Sequence, residues 1–219
     1  MLKKLALLLS LLGSVCLTMV AEADSTYIET GPYFPLERSG HEYRLQAGDR
    51  LWHIRHSGTV AMASNDLYVI DTLIRDKTGE ERLADKSFYS IDCNGDIYLR
   101  GYQLTGWYIR WLEGPELVLK ERMELSKSYL VSEVTTKGQR TSVTISLRKA
   151  GDLKLKNVVM PYIVVEKTTR TEQVFGRRVD YSYEQRFYGK GLGLIKHTGT
   201  CGSGRCAAMA PSRNGIYIR

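Results

Sequence analysis

Short runs of β-branched and aromatic residues, broken by turn residues at close intervals, fill the chain from Arg50 to His197, and helical periodicity is almost absent. That pattern predicts an all-β fold of antiparallel strands, an open sandwich or a half-barrel. The expected strands are Arg50 to His56, Leu67 to Arg75, Ser87 to Cys93, Asp96 to Leu104, Trp107 to Trp111, Ser128 to Thr135, Arg140 to Arg148, Val158 to Thr168, Val179 to Tyr188 and Leu192 to His197. Turns are expected at Lys77-Thr78-Gly79, Asn94-Gly95, Lys137-Gly138-Gln139 and Ala150-Gly151-Asp152. Asn94-Gly95 reads as a type I′ hairpin turn, since both residues tolerate positive φ.

Alternation along Arg140 to Leu147 directs Val143, Ile145 and Leu147 to one face and Thr144, Ser146 and Arg148 to water. Pro161 implies an edge strand or a bulge. Leu117 to Leu125 reads as a helical or extended bridge, so that residues 24–219 form one β-rich domain with room for a division near 112–126 into two halves sharing one core. The chain carries 14 tyrosines against 4 phenylalanines, which suits sheets half exposed to water.

At the N-terminus Lys3 and Lys4 precede an apolar run from Leu5 to Ala21, and Ala21-Glu22-Ala23 supplies a small-x-small site. This predicts a signal peptide over residues 1–23, cleaved before Asp24, and a product exported to the periplasm or beyond. A retained anchor is the competing reading, because the run nearly suffices to span a bilayer. Lipidation at Cys16 fits poorly, since Gly13-Ser14-Val15 lacks the branched aliphatic and the small final residue such a site needs. The formal charge of +7 falls by one on cleavage and implies weak attraction to anionic lipid, lipopolysaccharide or acidic polysaccharide. Nucleic acid is a poor partner outside the cytoplasm.

Two motifs carry a resemblance. Tyr33-Phe34-Pro35-Leu36, followed by Gly48-Asp49-Arg50-Leu51-Trp52, resembles the opening of a group of exported bacterial β-rich proteins of largely uncharacterised function, and Tyr188-Gly189-Lys190-Gly191-Leu192-Gly193-Leu194-Ile195-Lys196 is similar to their Tyr-x-x-Gly-x-Gly-Leu-x-Lys closing strand. The Asp92 to Tyr98 turn also fits. The resemblance implies a half-barrel or open sandwich, distantly similar to periplasmic lipoprotein-carrier folds, and brings no catalytic residues. Here Glu37 to Ala47 stand as extra residues between the two parts of the opening motif.

Gly189, Gly191 and Gly193 are expected to alternate on one strand face and allow close backbone approach. A phosphate-cradling loop would need a following helix, and none is evident. Tyr33-Phe34-Pro35 is expected to plug one end of the core.

With Cys16 removed, Cys201 and Cys206 flank a glycine-rich tetrapeptide and are expected to form a local disulfide in an oxidising compartment. A metal site with His197 lacks a fourth ligand, and a redox pair lacks the Cys-x-x-Cys spacing. Cys93 reads as a buried thiol, or as one that pairs with another chain. His53 and His56, three apart on a strand, point to opposite faces and read as ordinary core or surface histidines rather than metal ligands. Asp92, Asn94 and Asp96 lack the glycine and glutamate positions of a calcium loop. No cofactor and no metal site is indicated.

No Gly-x-Ser-x-Gly, His-Glu-x-x-His or Ser-x-x-Lys pattern is present. The leading expectation is a noncatalytic envelope protein that binds a partner protein or an apolar, lipid-like ligand through a concave sheet or strand edge, in assembly or transport. Tyr98, Tyr102, Trp107, Tyr108 and Trp111 are its candidate binding residues, and core packing is their ordinary role. The alternatives, in order, are a structural component of a surface or secreted assembly using strand addition, and a hydrolase acting on envelope polymer.

Overall fold

The computed structural model describes residues 27–47, 50–62, 65–75, 77–155, 158–175, 179–200 and 216–217. The expected signal segment, the cleavage before Asp24, the Gly48-Asp49 pair and the Cys201–Cys206 disulfide lie outside the described residues.

Strands follow one another as β1 (Tyr27–Glu29), β2 (Glu42–Ala47), β3 (Arg50–Met62), β4 (Asn65–Arg75), β5 (Glu81–Ile91), β6 (Ile97–Leu104), β7 (Arg110–Leu119), β8 (Arg122–Glu124), β9 (Ser128–Thr136), β10 (Gln139–Leu155), β11 (Val158–Gln173), β12 (Val179–Gly189), β13 (Gly193–Thr200) and β14 (Ile216–Tyr217). Among the described residues one 3₁₀ turn, Gly31–Tyr33, interrupts them. Among the described residues no helix is long and apolar enough to cross a membrane.

Every strand pairing is antiparallel. One sheet runs β14-β2-β3-β4-β5-β6-β7, a second runs β13-β12-β11-β10-β9, and β1 pairs β8. Apart from β14 beside β2, both large sheets are meanders of chain neighbours, which is why turn residues recur so closely in the sequence. Neither sheet closes on itself, so the molecule is an open antiparallel sandwich.

The sheets pack through Ile70, Ile97 and Leu119 of the first and Ile145, Leu147, Ile163, Val165 and Tyr188 of the second. Phe34 and Leu36 enter the same core from the β1–β2 connection. Phe34 meets Tyr89 edge-on at 5.1 Å and Tyr188 at 5.6 Å, so the Tyr33-Phe34-Pro35 plug is present as expected. Extra residues at Ser57, Ala84, Arg100, Val131, Arg148 and Ile195 break the registers of neighbouring strands. Such bulges add local twist and curl the sheets over the core.

Several sequence expectations need correction. The Asn94-Gly95 turn is not type I′. Gly95 has φ +80 while Asn94 does not enter the positive region, and Gly95 N–H donates to the Asp92 carbonyl at 3.0 Å. With Asp92 N–H bonded to Asp96 O at 3.0 Å, this is a three-residue loop ending in a left-handed glycine. The Asp92 carboxylate accepts the Asn94 and Asp96 N–H groups, each at 2.9 Å, and so fixes the loop. Cys93 sits in this loop and is exposed, not buried.

Ala150-Gly151-Asp152 is no turn but lies within the 17-residue β10, paired to Ile163, Tyr162 and Pro161. Residues 105–109 form a turn, so the expected Trp107 to Trp111 strand starts instead at Arg110. Pro161 lies on β11, a central strand, and no register shift occurs at it. It is tolerated because the β12 ladder ends one residue away, at Tyr162 opposite Gly189. Ser146 is buried rather than facing water, because both faces of β10 are covered there.

Glu37 to Ala47 is not a simple insertion: its second half is β2, in full register with β3. The glycine segment is the β12–β13 hairpin, not one alternating strand. Gly189 pairs Gly193 across the turn, and Gly191 (φ +77) donates its N–H to Pro32 O at 2.7 Å.

The Leu117 to Leu125 segment is extended, completing β7, forming β8 and leading into the second sheet. Thr30 N–H bonds Glu121 O at 2.8 Å, and the Thr30 hydroxyl donates to Lys120 O, tying this crossover to the chain start.

Candidate functional site

In antiparallel sheets directly opposed residues share a face. The inward face of the seven-stranded sheet therefore carries Tyr43 and Leu45 on β2, Trp52 and Ile54 on β3, Ile70 and Thr72 on β4, and Ser87 and Tyr89 on β5. Across from it stands β13, where the extra residue Ile195 turns a second apolar side chain inward beside Leu194. Between these walls, with Phe34 at one end, lies a cavity of about 250 Å³. Tyr43 spans it, its hydroxyl donating to Leu194 O at 3.0 Å.

The lining is mainly apolar. Its polar exceptions are Thr72, Asp85 and Ser87 on one wall and Lys196 and His197 on the other. Asp85 sits beside the bulged Ala84 and opposite Thr72. Burial raises its carboxyl pKa, the charge of Asp71 adds to the rise, and the Thr72 hydroxyl opposes it. Burial likewise pushes the Tyr43 and Tyr89 phenols up, so both stay neutral hydrogen-bonding groups.

Beside the cavity a charged network joins the two sheets. Glu116 on β7 accepts from Lys167 Nζ on β11 at 2.7 Å and from Arg186 Nη2 on β12 at 3.2 Å. Arg186 Nε also donates to Glu184 at 2.5 Å, and His197 Nε2 lies 3.0 Å from the same carboxylate. Burial alone would raise Glu184, but His197 and Arg186 hold its carboxyl down to about 2. Sequence reasoning missed this network. The signal was the parity of β12: once Tyr188 points into the core, Arg186 and Glu184 must point the same way.

His53 and His56 do take opposite faces, and both are buried. His53 lies on the outer face between Glu42 at 3.0 Å and Glu81 at 3.5 Å. His56 faces inward with its ring 5.1 Å from that of His41. Burial first, then His41, lowers its pKa to about 4, with only the Pro35 carbonyl opposing.

The five aromatic candidates do not share one concave surface. Tyr98 opposes Ser90 on the outer face, and Tyr102 opposes Ser87 on the inner one. Trp111 lies over Gly101, where an added Cβ would stand 2.7 Å from its ring, and packs on Phe88 at 5.1 Å. Trp107 and Tyr108 project from the β6–β7 turn, 72% and 96% exposed.

No family model matches the chain, and no curated protein matches it. Among solved structures it is similar to a candidate exported protein with a YmcC-like fold from Bacteroides fragilis, at 8% identity over 77% of this chain and 92% of that one, with a TM-score of 0.43. It is also similar to a candidate lipoprotein from Parabacteroides distasonis, at 9% identity over 84% of this chain and 93% of that one, with a TM-score of 0.37. At these overlaps neither neighbour assigns a function to the chain.

Proposed function

We propose that the chain is a noncatalytic exported protein of the bacterial envelope that holds an apolar ligand in the cavity between its two sheets. The observation that carries this reading is the cavity itself: set between both sheets and open to solvent, walled mainly by aliphatic and aromatic side chains, and marked by a few polar groups that would orient an occupant. Its volume is below the ~300–1,000 Å³ of sites for drug-sized molecules. A short apolar segment, such as part of an acyl chain, is the matching chemistry. Export rests on the charged N-terminal residues, the apolar run and the Ala21-Glu22-Ala23 site.

The test is to recover the processed protein from its native envelope, extract it with organic solvent and weigh the lipid against the protein. A defined lipid at near-equal molar amount supports the proposal. A lipid-free protein tightly held by a protein partner contradicts it and favours an assembly role.

A further inference from the structure

Among the described residues, the β6–β7 hairpin carries a group of exposed apolar side chains. Leu104 is 51% exposed, Ile109 39%, and Trp107 and Tyr108 still more. The turn is nevertheless built, not frayed. Trp107 N–H donates to Leu104 O at 3.0 Å, Gln103 Nε2 donates to Trp107 O at 2.9 Å, and Thr105 N–H donates to Ala84 O at 3.1 Å. Gly106 supplies the left-handed residue such a turn needs, at φ +77. Beneath it, Trp111 seated on Gly101 and Phe88 braces the hairpin base.

A convex tip of Trp, Tyr, Ile and Leu is suited to an interface that is apolar below and wet above, where indole and phenol rings bury their bodies and keep their polar atoms hydrated. Exposed Arg110 follows Ile109 directly, and the chain, formally +7 before processing, stays cationic once residues 1–23 are removed. Both favour an anionic surface. We propose that the Leu104 to Arg110 hairpin docks this protein on an anionic lipid bilayer. The docking element adjoins the cavity: Asp85 on the cavity wall pairs in register with Leu104, and the Thr105–Ala84 bond lies next to it. The inference deepens the apolar-ligand reading by naming bilayer lipid as the ligand's source and rests on that reading for its purpose. Adsorption itself needs no loaded cavity.

The experiment is sedimentation of the processed protein, as recovered from cells, with vesicles of phosphatidylethanolamine and phosphatidylglycerol and with vesicles of phosphatidylcholine alone. The wild-type protein is expected to adsorb to the anionic vesicles with a blue shift of tryptophan emission. The Trp107→Ala, Tyr108→Ala double variant should lose on the order of tenfold in partitioning. Arg110→Gln should weaken adsorption to the anionic vesicles only. Because all three side chains are exposed, unchanged unfolding midpoints check that the variants fold. Undiminished adsorption of the double variant overturns the proposal. So does failure of the wild-type protein to adsorb to anionic vesicles, including the case in which the hairpin is needed only for a protein partner. Cavity loading by a short-chain lipid in free solution, measured separately, distinguishes failure of docking from failure of the ligand reading.

Discussion

Glu116 on β7 and Arg186 on β12 meet across the gap between the two sheets at 3.2 Å, and with Lys167 and Glu184 they form a charged link in a mainly apolar interface. Breaking one member leaves the others partly buried and uncompensated, which costs more than the intact link contributes. Arg186→Met should therefore destabilise the fold by about 1–3 kcal/mol, toward the low side for a buried pair because these side chains keep some solvent contact. Adding Glu116→Gln to that variant should cost less than the sum of the single changes. Urea unfolding of the four proteins measures this, and strict additivity would show that the two residues are not coupled.

Acid should weaken the fold in two windows. The folded pKa of His56 is lowered from 6.5 to about 4, so as pH falls below 6.5 the unfolded chain takes up a proton that the folded one refuses. Stability is lost down to about pH 4 and this contribution is constant below it. Glu184 is depressed from 4.5 to about 2, so its contribution is complete above 4.5 and is lost as pH falls toward 2. Denaturant midpoints across pH should show both slopes. His56→Phe should flatten the upper one alone, and an unchanged upper slope in that variant would assign it to another group.

Gly191 has open space where a Cβ would stand, so its constraint is backbone conformation and not packing. At φ +77 a β-branched residue is strained, and Gly191→Val should cost about 1–3 kcal/mol. Gly191→Asn should cost less, since asparagine tolerates this region. If Gly191→Val left the melting transition intact and abolished binding of an anion, the hairpin would have to be read as a ligand site.

The export proposal makes two chemical statements. The N-terminal residue of the protein recovered from periplasm or medium should be Asp24, and mass analysis without reductant should show Cys201 joined to Cys206. An uncleaved chain in the membrane pellet would contradict the first, and two freely alkylated thiols the second.

The strand pattern was legible because antiparallel meanders write their turns into the sequence: nine of the ten expected strands overlap elements of their own over most of their length, and the tenth, Trp107 to Trp111, meets β7 only at its last two residues. What failed, failed for physical reasons. The Ala150-Gly151-Asp152 triplet has turn composition, yet the pairing with Tyr162 and Pro161 carries the strand through it. The type I′ geometry sought at Asn94-Gly95 occurs at Lys137-Gly138, where φ values of 49 and 74 close a two-residue loop whose lysine gives no hint of it. The β2 strand, Glu42–Ala47, was hidden by its mixed composition. Its inward Tyr43 and Leu45 alternate with outward Glu42 and Arg44, a two-sided pattern read as an insertion. The cavity was not legible at all, because it depends on which strands of the two sheets face one another. Bulges at Ala84 and Ile195 also shift the inward set on β5 and β13.

The most direct measurement on the central claim is ligand occupancy of a cavity-filled variant. Ile54→Trp places an indole into the space between β3 and β13, and Leu73→Ala, on the opposite face of the first sheet, serves as the control. Native mass spectrometry of the processed proteins, recovered in parallel, reports the bound lipid. The account predicts a ligand on the wild-type and Leu73→Ala proteins and its loss from Ile54→Trp while the unfolding free energy of that variant stays within about 2 kcal/mol of wild type. Full occupancy of a folded Ile54→Trp protein would contradict it and remove the cavity as the binding site.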